Sequence, residues 1–311
     1  MSPAARLTVF AAVLLAAFGS AWAVGAAVGP GDGSAEVDTH AEPADAHAEG
    51  EGTDAEPTGD QGDDHATPTA DDEALPGLAS TVAGYTLVPL RPTLPSGEAV
   101  RFAFRVTGPD GSAVTDYTEA HEKDLHLIVV RRDLSQFQHV HPVLSGDGVW
   151  SVDLDLSQAG SYRAYADVVP AELGRNVVLG TDFDVAGDYR PVALPAATTS
   201  TTVDGFDVRM TGHPEAGVET DLTFTVSRDG EPVGDLQPYL GAYGHLVTLR
   251  AGDLAYLHTH PGEDAEPGVA GGPDVEFMTT FPSPGTYRLF LDFEVDGVVR
   301  TAELTVDVGG H

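Results

Sequence analysis

Histidines with metal-ligand spacing occur twice in this chain of 311 residues. In each copy a lone histidine precedes a His-X-His-Pro sequence by 13 residues, and the second copy follows the first after 119 residues without a gap. The six histidines are His126, His139, His141, His245, His258 and His260. Histidine is the commonest metal ligand in proteins, and alternate residues of a strand share a face. Each trio therefore predicts a metal site, for Cu(II) or Zn(II).

We expect each trio to lie on one hairpin. If the first turn centres between Asp133 and Leu134, His126 lies opposite His141 and beside His139 on one face. A slip of one residue would place His126 on the other face and destroy the site. Because an unperturbed histidine titrates near about pH 6.5, metal affinity is expected to fall between about pH 7 and 5.

Two alternatives remain open at this point. The trios predict either two separate sites or one site between domains. The lone histidines, His126 and His245, could instead begin strands and bond to a loop backbone, which would make them structural residues.

The repeat extends beyond the histidines and predicts a domain duplication. Residues 160–165 (Gly-Ser-Tyr-Arg-Ala-Tyr) match residues 285–290 (Gly-Thr-Tyr-Arg-Leu-Phe) at an offset of 125, so the second copy carries a net insertion of six residues. The Gly- and Pro-rich segment 262–275 is the expected place for that insertion.

Alternating apolar and polar residues with frequent turn signals predict an all-β protein from residue 84 onward. No helical period is sustained in this part of the sequence. Short strands at close spacing favour sandwiches. We therefore predict two tandem immunoglobulin-like antiparallel β-sandwiches, residues 78–187 and 203–309, joined by a linker at 188–202.

Composition narrows the possible partners and chemistry. The chain has 49 acidic and 15 basic residues, which argues against nucleic acid because that partner needs clustered Lys and Arg. It has no cysteine and three methionines, so imidazole is the ligand in good supply, which suits Cu(II) or Zn(II). The sequence has no phosphate loop, no Gly-X-Ser-X-Gly and no His-Glu-X-X-His. We therefore expect a binding protein and not an enzyme.

The N-terminal region has the pattern of an export element. Arg6 precedes an uncharged, mainly apolar stretch at 7–30, which is long enough for a hydrophobic helix that spans a membrane. Residues 1–30 are thus predicted to be a signal anchor, or a signal peptide cleaved after Ala-Trp-Ala at 21–23. Residues 31–77 are predicted to be a disordered acidic spacer, because 31–75 hold 15 acidic residues and no Lys or Arg. Both alternatives place the domains outside the cytoplasmic membrane, tethered or secreted.

The segments 125–142 and 239–250 resemble a family of uncharacterised exported bacterial proteins with duplicated His-X-His-Pro β domains. That family is similar to heavy-metal-binding and YtkA-like extracytoplasmic proteins. The resemblance implies a role in metal handling, in agreement with the histidine pattern. The expected function is sequestration or delivery of Cu(II) or Zn(II). The alternative is a structural or interaction module that engages another cell-envelope protein, with the histidines in packing roles.

Overall fold

The described part of the molecule is built from strands and turns. The computed structural model describes residues 75–310 except His258 and Pro267. The side chain of His260 is also outside the described part. The described residues contain no helix, which confirms the all-β prediction for this part of the chain. Within it, no helix is long and apolar enough to cross a membrane. The predicted N-terminal helix and residues 31–74 of the predicted spacer lie outside the described residues.

Domain 1 contains ten strands arranged in two sheets. They are β1 (Thr81–Val82), β2 (Tyr85–Pro89), β3 (Thr93–Leu94), β4 (Gly97–Thr107), β5 (Leu125–Arg131), β6 (Gln138–Val140), β7 (Val143–Leu144), β8 (Trp150–Leu156), β9 (Gly160–Val168) and β10 (Val177–Val185). One sheet has the order β1-β2-β4-β8-β7 and the other β3-β10-β9-β5-β6. The neighbours are antiparallel apart from β3 and β10, which are parallel.

Domain 2 repeats this arrangement. Its strands are β11 (Ser200–Val203), β12 (Phe206–Thr211), β13 (Glu219–Arg228), β14 (Glu231–Pro232), β15 (His245–Arg250), β16 (Tyr256–Leu257), β17 (His260–Pro261), β18 (Asp274–Thr280), β19 (Gly285–Val295) and β20 (Val298–Val308). The sheets have the orders β11-β12-β13-β18-β17, with β14 paired to β13, and β16-β15-β19-β20. In domain 1 the strands β2-β4-β8-β7 face β5-β9-β10, and in domain 2 the strands β12-β13-β18-β17 face β15-β19-β20. This is the strand order typical of immunoglobulin constant-type sandwiches.

The start of domain 2 differs slightly from the sequence prediction. Strand β11 begins at Ser200, inside the segment 188–202 that was predicted as a linker. It pairs with β12 from Ser200 opposite Arg209 to Val203 opposite Phe206. The Thr-rich composition that suggested a linker also suits an edge strand, since Thr has a high strand propensity.

Each sandwich encloses its own apolar core, and a third apolar cluster joins the two domains. Strand β5 shows how: all seven of its residues are buried. Leu127 and Val129 point into the core of domain 1, whereas Ile128 and Val130 belong to the third cluster. A strand covered on both faces has a continuous apolar run in place of alternation. The face that carries His126 is therefore the outer face of sandwich 1, covered by sandwich 2.

The third cluster contains residues from the equivalent sheets of both domains. Its buried members are Ile128, Val130, Leu134, Tyr165 and Val178 from domain 1 and Val247, Leu249, Leu254, Tyr256 and Phe290 from domain 2. Phe137 packs against this cluster, and its ring stacks on that of Phe290 with centroids 3.9 Å apart. The Tyr165 hydroxyl donates to the Leu254 carbonyl at 2.6 Å. The two sandwiches belong to one compact unit, packed through the sheets that carry the histidines.

Candidate metal centre

Three histidines of domain 1 converge on one point. The Nδ1 atom of His126 lies 3.1 Å from Nε2 of His139 and 3.2 Å from Nε2 of His141. Among the described residues, this trio is the group of three possible ligands whose donor atoms all lie within 4.8 Å of one another. His126 is buried, and the other two are partly buried as residues.

The register of one hairpin produces this convergence. Strand β6 pairs with β5 so that Ile128 lies opposite His139 and Leu127 opposite Val140. The turn is therefore centred between Asp133 and Leu134, which is the condition under which the three histidines share one face. His141 follows β6 and precedes Pro142, where the chain crosses to β7 in the other sheet. The histidines at 139 and 141 thus share the outer face with His126.

A tight turn fixes the ring orientation of His126. Ala120 and Lys123 exchange two backbone hydrogen bonds around His121 (φ 48°) and Glu122 (φ 63°), two positive φ values typical of a type I′ turn. The Ala120 carbonyl oxygen accepts a hydrogen bond from Nε2 of His126 at 3.0 Å. A carbonyl can only accept, so Nε2 carries the hydrogen and Nδ1 of the neutral ring keeps its lone pair. The backbone hydrogen bond that was the alternative role for His126 thus uses only Nε2. The other ring nitrogen, Nδ1, faces His139 and His141.

A carboxylate of domain 2 fixes the ring orientation of His139. Its Nδ1 lies 2.8 Å from Oδ2 of Asp292, and the two side chains are 1% and 3% exposed. An ionised carboxylate is an acceptor only, so Nδ1 of His139 donates and Nε2 keeps its lone pair. The other Asp292 oxygen accepts from the Thr301 hydroxyl at 2.5 Å. Metal-ligating histidines almost always donate their second nitrogen to a carboxylate or a carbonyl, and His126 and His139 use one of each.

The lone pairs on Nδ1 of His126 and Nε2 of His139 therefore point toward each other. His141 can donate to Nδ1 of His126. When the rings of His126 and His139 are both neutral, the contact between them has no hydrogen of its own, because each ring donates its hydrogen elsewhere. Two lone pairs at 3.1 Å then repel unless a cation, either a proton or a metal ion, is shared between them. Nitrogens about 2.0–2.1 Å from a tetrahedral ion lie roughly 3.3 Å apart. The separations of 3.1 and 3.2 Å are close to that value.

Burial keeps protons off these rings. It lowers the pKa of His126 to about 4; the Ala120 hydrogen bond opposes this shift and the charge of a protonated His139 adds to it. It likewise lowers the pKa of His141 to about 3, with His139, His126 and Lys123 contributing. At neutral pH both rings are consequently uncharged, which is the state that binds a metal ion.

These pKa values predict how the metal-free protein responds to acid. Below about pH 6.5 the unfolded chain takes up a proton at His141 that the folded protein refuses down to about pH 3. Stability therefore falls as pH falls through this window. In urea unfolding, we expect wild type to lose stability more steeply between pH 7 and 5 than His141→Gln, which has no such group. Equal slopes would contradict the lowered pKa.

The same shift moves the pH range expected for metal binding. From an unperturbed histidine, loss of affinity between about pH 7 and 5 was expected. Because the pKa values of His126 and His141 are lowered to about 4 and about 3, protons compete with the metal for these two ligands at a lower pH than the sequence alone predicts.

Two further histidines, His121 and His245, lie next to the trio. The ring of His245 lies parallel to that of His126 with centroids 5.5 Å apart, and 4.8 Å from that of His139. His121 lies 5.8 Å from His245. A cavity of about 20 Å³ next to the trio is lined by His121, His126 and His245, which is room for about one water molecule. The pKa of His245 is well below its ordinary value, mainly through burial.

The structure places the predicted site residues unequally. It brings His126, His139 and His141 together and packs His245 of the other domain against them. Among the ligands predicted for the second trio, His258 and the side chain of His260 lie outside the described residues.

Asp292 was not among the residues predicted from the sequence, where it appears only as part of the repeat. Asp292 and Asp167 occupy equivalent positions, two residues after the repeated 160–165 and 285–290 segments. Each lies opposite the lone histidine of its own domain, Asp167 opposite His126 and Asp292 opposite His245. A repeated aspartate in a strand that is otherwise largely apolar is the signal that would have pointed to it, since buried carboxylates need partners.

Solved structures with a similar chain path are distant. A DUF4426 family protein from Pseudomonas aeruginosa is 8% identical over 36% of this chain and 96% of its own, with a TM-score of 0.26. The Escherichia coli adhesin FdeC is 16% identical over 76% and 66%, with a TM-score of 0.24. Fibronectin(III)-like modules of Clostridium thermocellum CbhA are 10% identical over 72% and 95%, with a TM-score of 0.20. TM-scores this low support no inference about function.

A family model identifies the repeated unit. No curated protein matches the sequence. The model described as "Domain of unknown function (DUF8832)" matches twice, at residues 80–190 and 201–310. The two matches together cover more than half of the chain and coincide with the two sandwiches. The chain therefore belongs to the DUF8832 family and contains two tandem copies of its domain.

Proposed function

We propose that this protein binds a divalent transition-metal ion, Cu(II) or Zn(II), through His126, His139 and His141. The observation that supports this most directly is the 3.1 Å contact between Nδ1 of His126 and Nε2 of His139. Both rings donate their hydrogens elsewhere, to Ala120 and Asp292. A shared cation turns this repulsive contact into a favourable one. Imidazole nitrogen is a ligand that suits copper and zinc, and it suits magnesium or calcium poorly.

Three protein ligands favour reversible binding over a purely structural role. Structural zinc sites are generally closed by four protein ligands, whereas a site with three leaves one position open. A fourth position that the protein leaves unfilled can be taken by a ligand from a donor or acceptor of the ion. We therefore propose sequestration or delivery of the ion. We propose binding and not catalysis, because the sequence carries none of the catalytic motifs considered above.

The export and second-trio predictions remain part of this proposal. The uncharged segment 7–30 and the acidic segment 31–75 support an extracytoplasmic protein, tethered or secreted. Metal binding by His245, His258 and His260 is proposed from the sequence repeat.

Spectroscopy of bound Cu(II) tests the proposal on the full-length protein. We expect one equivalent of Cu(II) to show nitrogen hyperfine coupling in electron paramagnetic resonance, because imidazoles are the ligands. The acidic segment 31–75 offers mainly carboxylates, which would give oxygen ligation without that coupling. A spectrum dominated by oxygen ligands, or no stoichiometric binding of Cu(II) or Zn(II), would overturn the proposal and favour packing roles for the histidines.

A further inference from the structure

The candidate metal centre is not contained in one domain. His139 belongs to β6 of domain 1, and its hydrogen-bond partner Asp292 belongs to β19 of domain 2, 153 residues further along the chain. Asp292 pairs with Thr301 in the ladder between β19 and β20, and its Oδ1 accepts the Thr301 hydroxyl. Two strands of domain 2 therefore hold the carboxylate that orients a proposed ligand of domain 1.

The charge of Asp292 points in the same direction. Its side chain is 3% exposed, and a buried carboxylate is costly unless it is paired with positive charge. Among the described residues it bonds to the His139 ring and the Thr301 hydroxyl, which are neutral groups when His139 is unprotonated. An ion bound at Nε2 of His139 supplies positive charge through the ring. The carboxylate in turn makes the imidazole a stronger donor to the ion.

We propose that Asp292 is a positioning residue of the metal site, so that the ion is bound by the docked pair of domains and not by domain 1 alone. This inference rests on the proposed function. Linkage then works in both directions: docking of domain 2 raises the affinity of the trio for the ion, and the bound ion stabilises the docked arrangement by the same factor. The duplication thus supplies a part of the site that the first copy lacks.

Other contacts between the domains provide a matched control. Tyr165 of domain 1 donates to the Leu254 carbonyl of domain 2 without touching the trio. Tyr165→Phe removes this bond and leaves Asp292 and the histidines in place. A loss of affinity caused only by a looser interface would appear in this variant as well.

The test compares Cu(II) affinity in full-length wild type, Asp292→Asn, Asp292→Glu and Tyr165→Phe by calorimetry. Loss of an outer-shell partner costs about 10–100-fold in affinity, so Asp292→Asn is expected to bind in that range more weakly than wild type. Asp292→Glu keeps the charge and should recover part of the loss, while Tyr165→Phe should bind like wild type. If Asp292→Asn does not fold, Thr301→Val serves instead, because it frees the carboxylate from its second hydrogen bond.

A second readout reports the ring itself. The ¹⁵N chemical shifts of His139 in wild type should show hydrogen on Nδ1, and Asp292→Asn should shift the ring toward a mixture of tautomers. If Asp292→Asn binds Cu(II) as tightly as wild type, the inference is overturned and the proposed function stays intact. Absence of Cu(II) binding in wild type would overturn both. Equal losses in Asp292→Asn and Tyr165→Phe would assign the effect to general loosening and overturn the positioning role.

Discussion

Substitution of His141 by alanine is expected to weaken Cu(II) binding by more than about 100-fold, beyond the range lost with an outer-shell partner. The substitution leaves two nitrogens of the trio, and His141 is the member that makes neither of the two hydrogen bonds that orient the other rings. His141 is partly buried and lies just after the end of β6. The register of the hairpin therefore does not depend on its side chain. Calorimetric titration of the full-length protein measures the change.

His213→Ala is the matched control for this prediction. His213 is exposed and lies far from the trio in the sequence, just after β12. Its loss should leave Cu(II) affinity unchanged. A His141→Ala protein that binds as tightly as wild type would show that Cu(II) is held elsewhere, in the acidic segment 31–75 or at the second set of histidines.

Substitution of Phe290 by alanine is expected to lower the free energy of unfolding by about 3–5 kcal/mol, the usual cost of truncating a buried Phe. Phe290 is fully buried in the cluster between the domains and stacks on Phe137. It also lies two residues before Asp292, on the same face of β19. Cu(II) binding should weaken together with stability, because a shift of β19 moves the carboxylate that orients His139. Urea unfolding and calorimetry on the same preparation measure both effects.

Val143→Ala provides the comparison for Phe290. Val143 is an apolar strand residue that is 73% exposed, and surface truncations of this kind usually change stability by less than about 0.5 kcal/mol. A Phe290→Ala protein that loses no more stability than Val143→Ala would contradict the packing of the two sandwiches against each other. Loss of stability with unchanged Cu(II) affinity would instead mean that the carboxylate keeps its place without the Phe290 ring.

The sequence alone was sufficient for the repeated elements. The 119-residue offset required the two copies to share a strand order, because gapless stretches leave no room for a different connection. The local hairpin was also predictable, but its register was left open by the sequence. The structure centres the turn between Asp133 and Leu134, and this register brings His126 and His141 to one face. Local pairing of this kind depends on turn length and on the two-residue period of strands.

Which face of β5 the histidines occupy, and what covers it, was decided by tertiary structure. A continuous apolar run does not distinguish the inner from the outer face of a sheet, because alternation disappears when both faces are buried. The sequence therefore left one site or two as open alternatives, and it named neither the Ala120 carbonyl nor Asp292. The contact between His139 and Asp292 joins residues 153 positions apart, and it exists only because the two equivalent sheets pack through their outer faces. Sequence spacing supplied three nitrogens, and the docked second domain supplied the carboxylate that orients one of them.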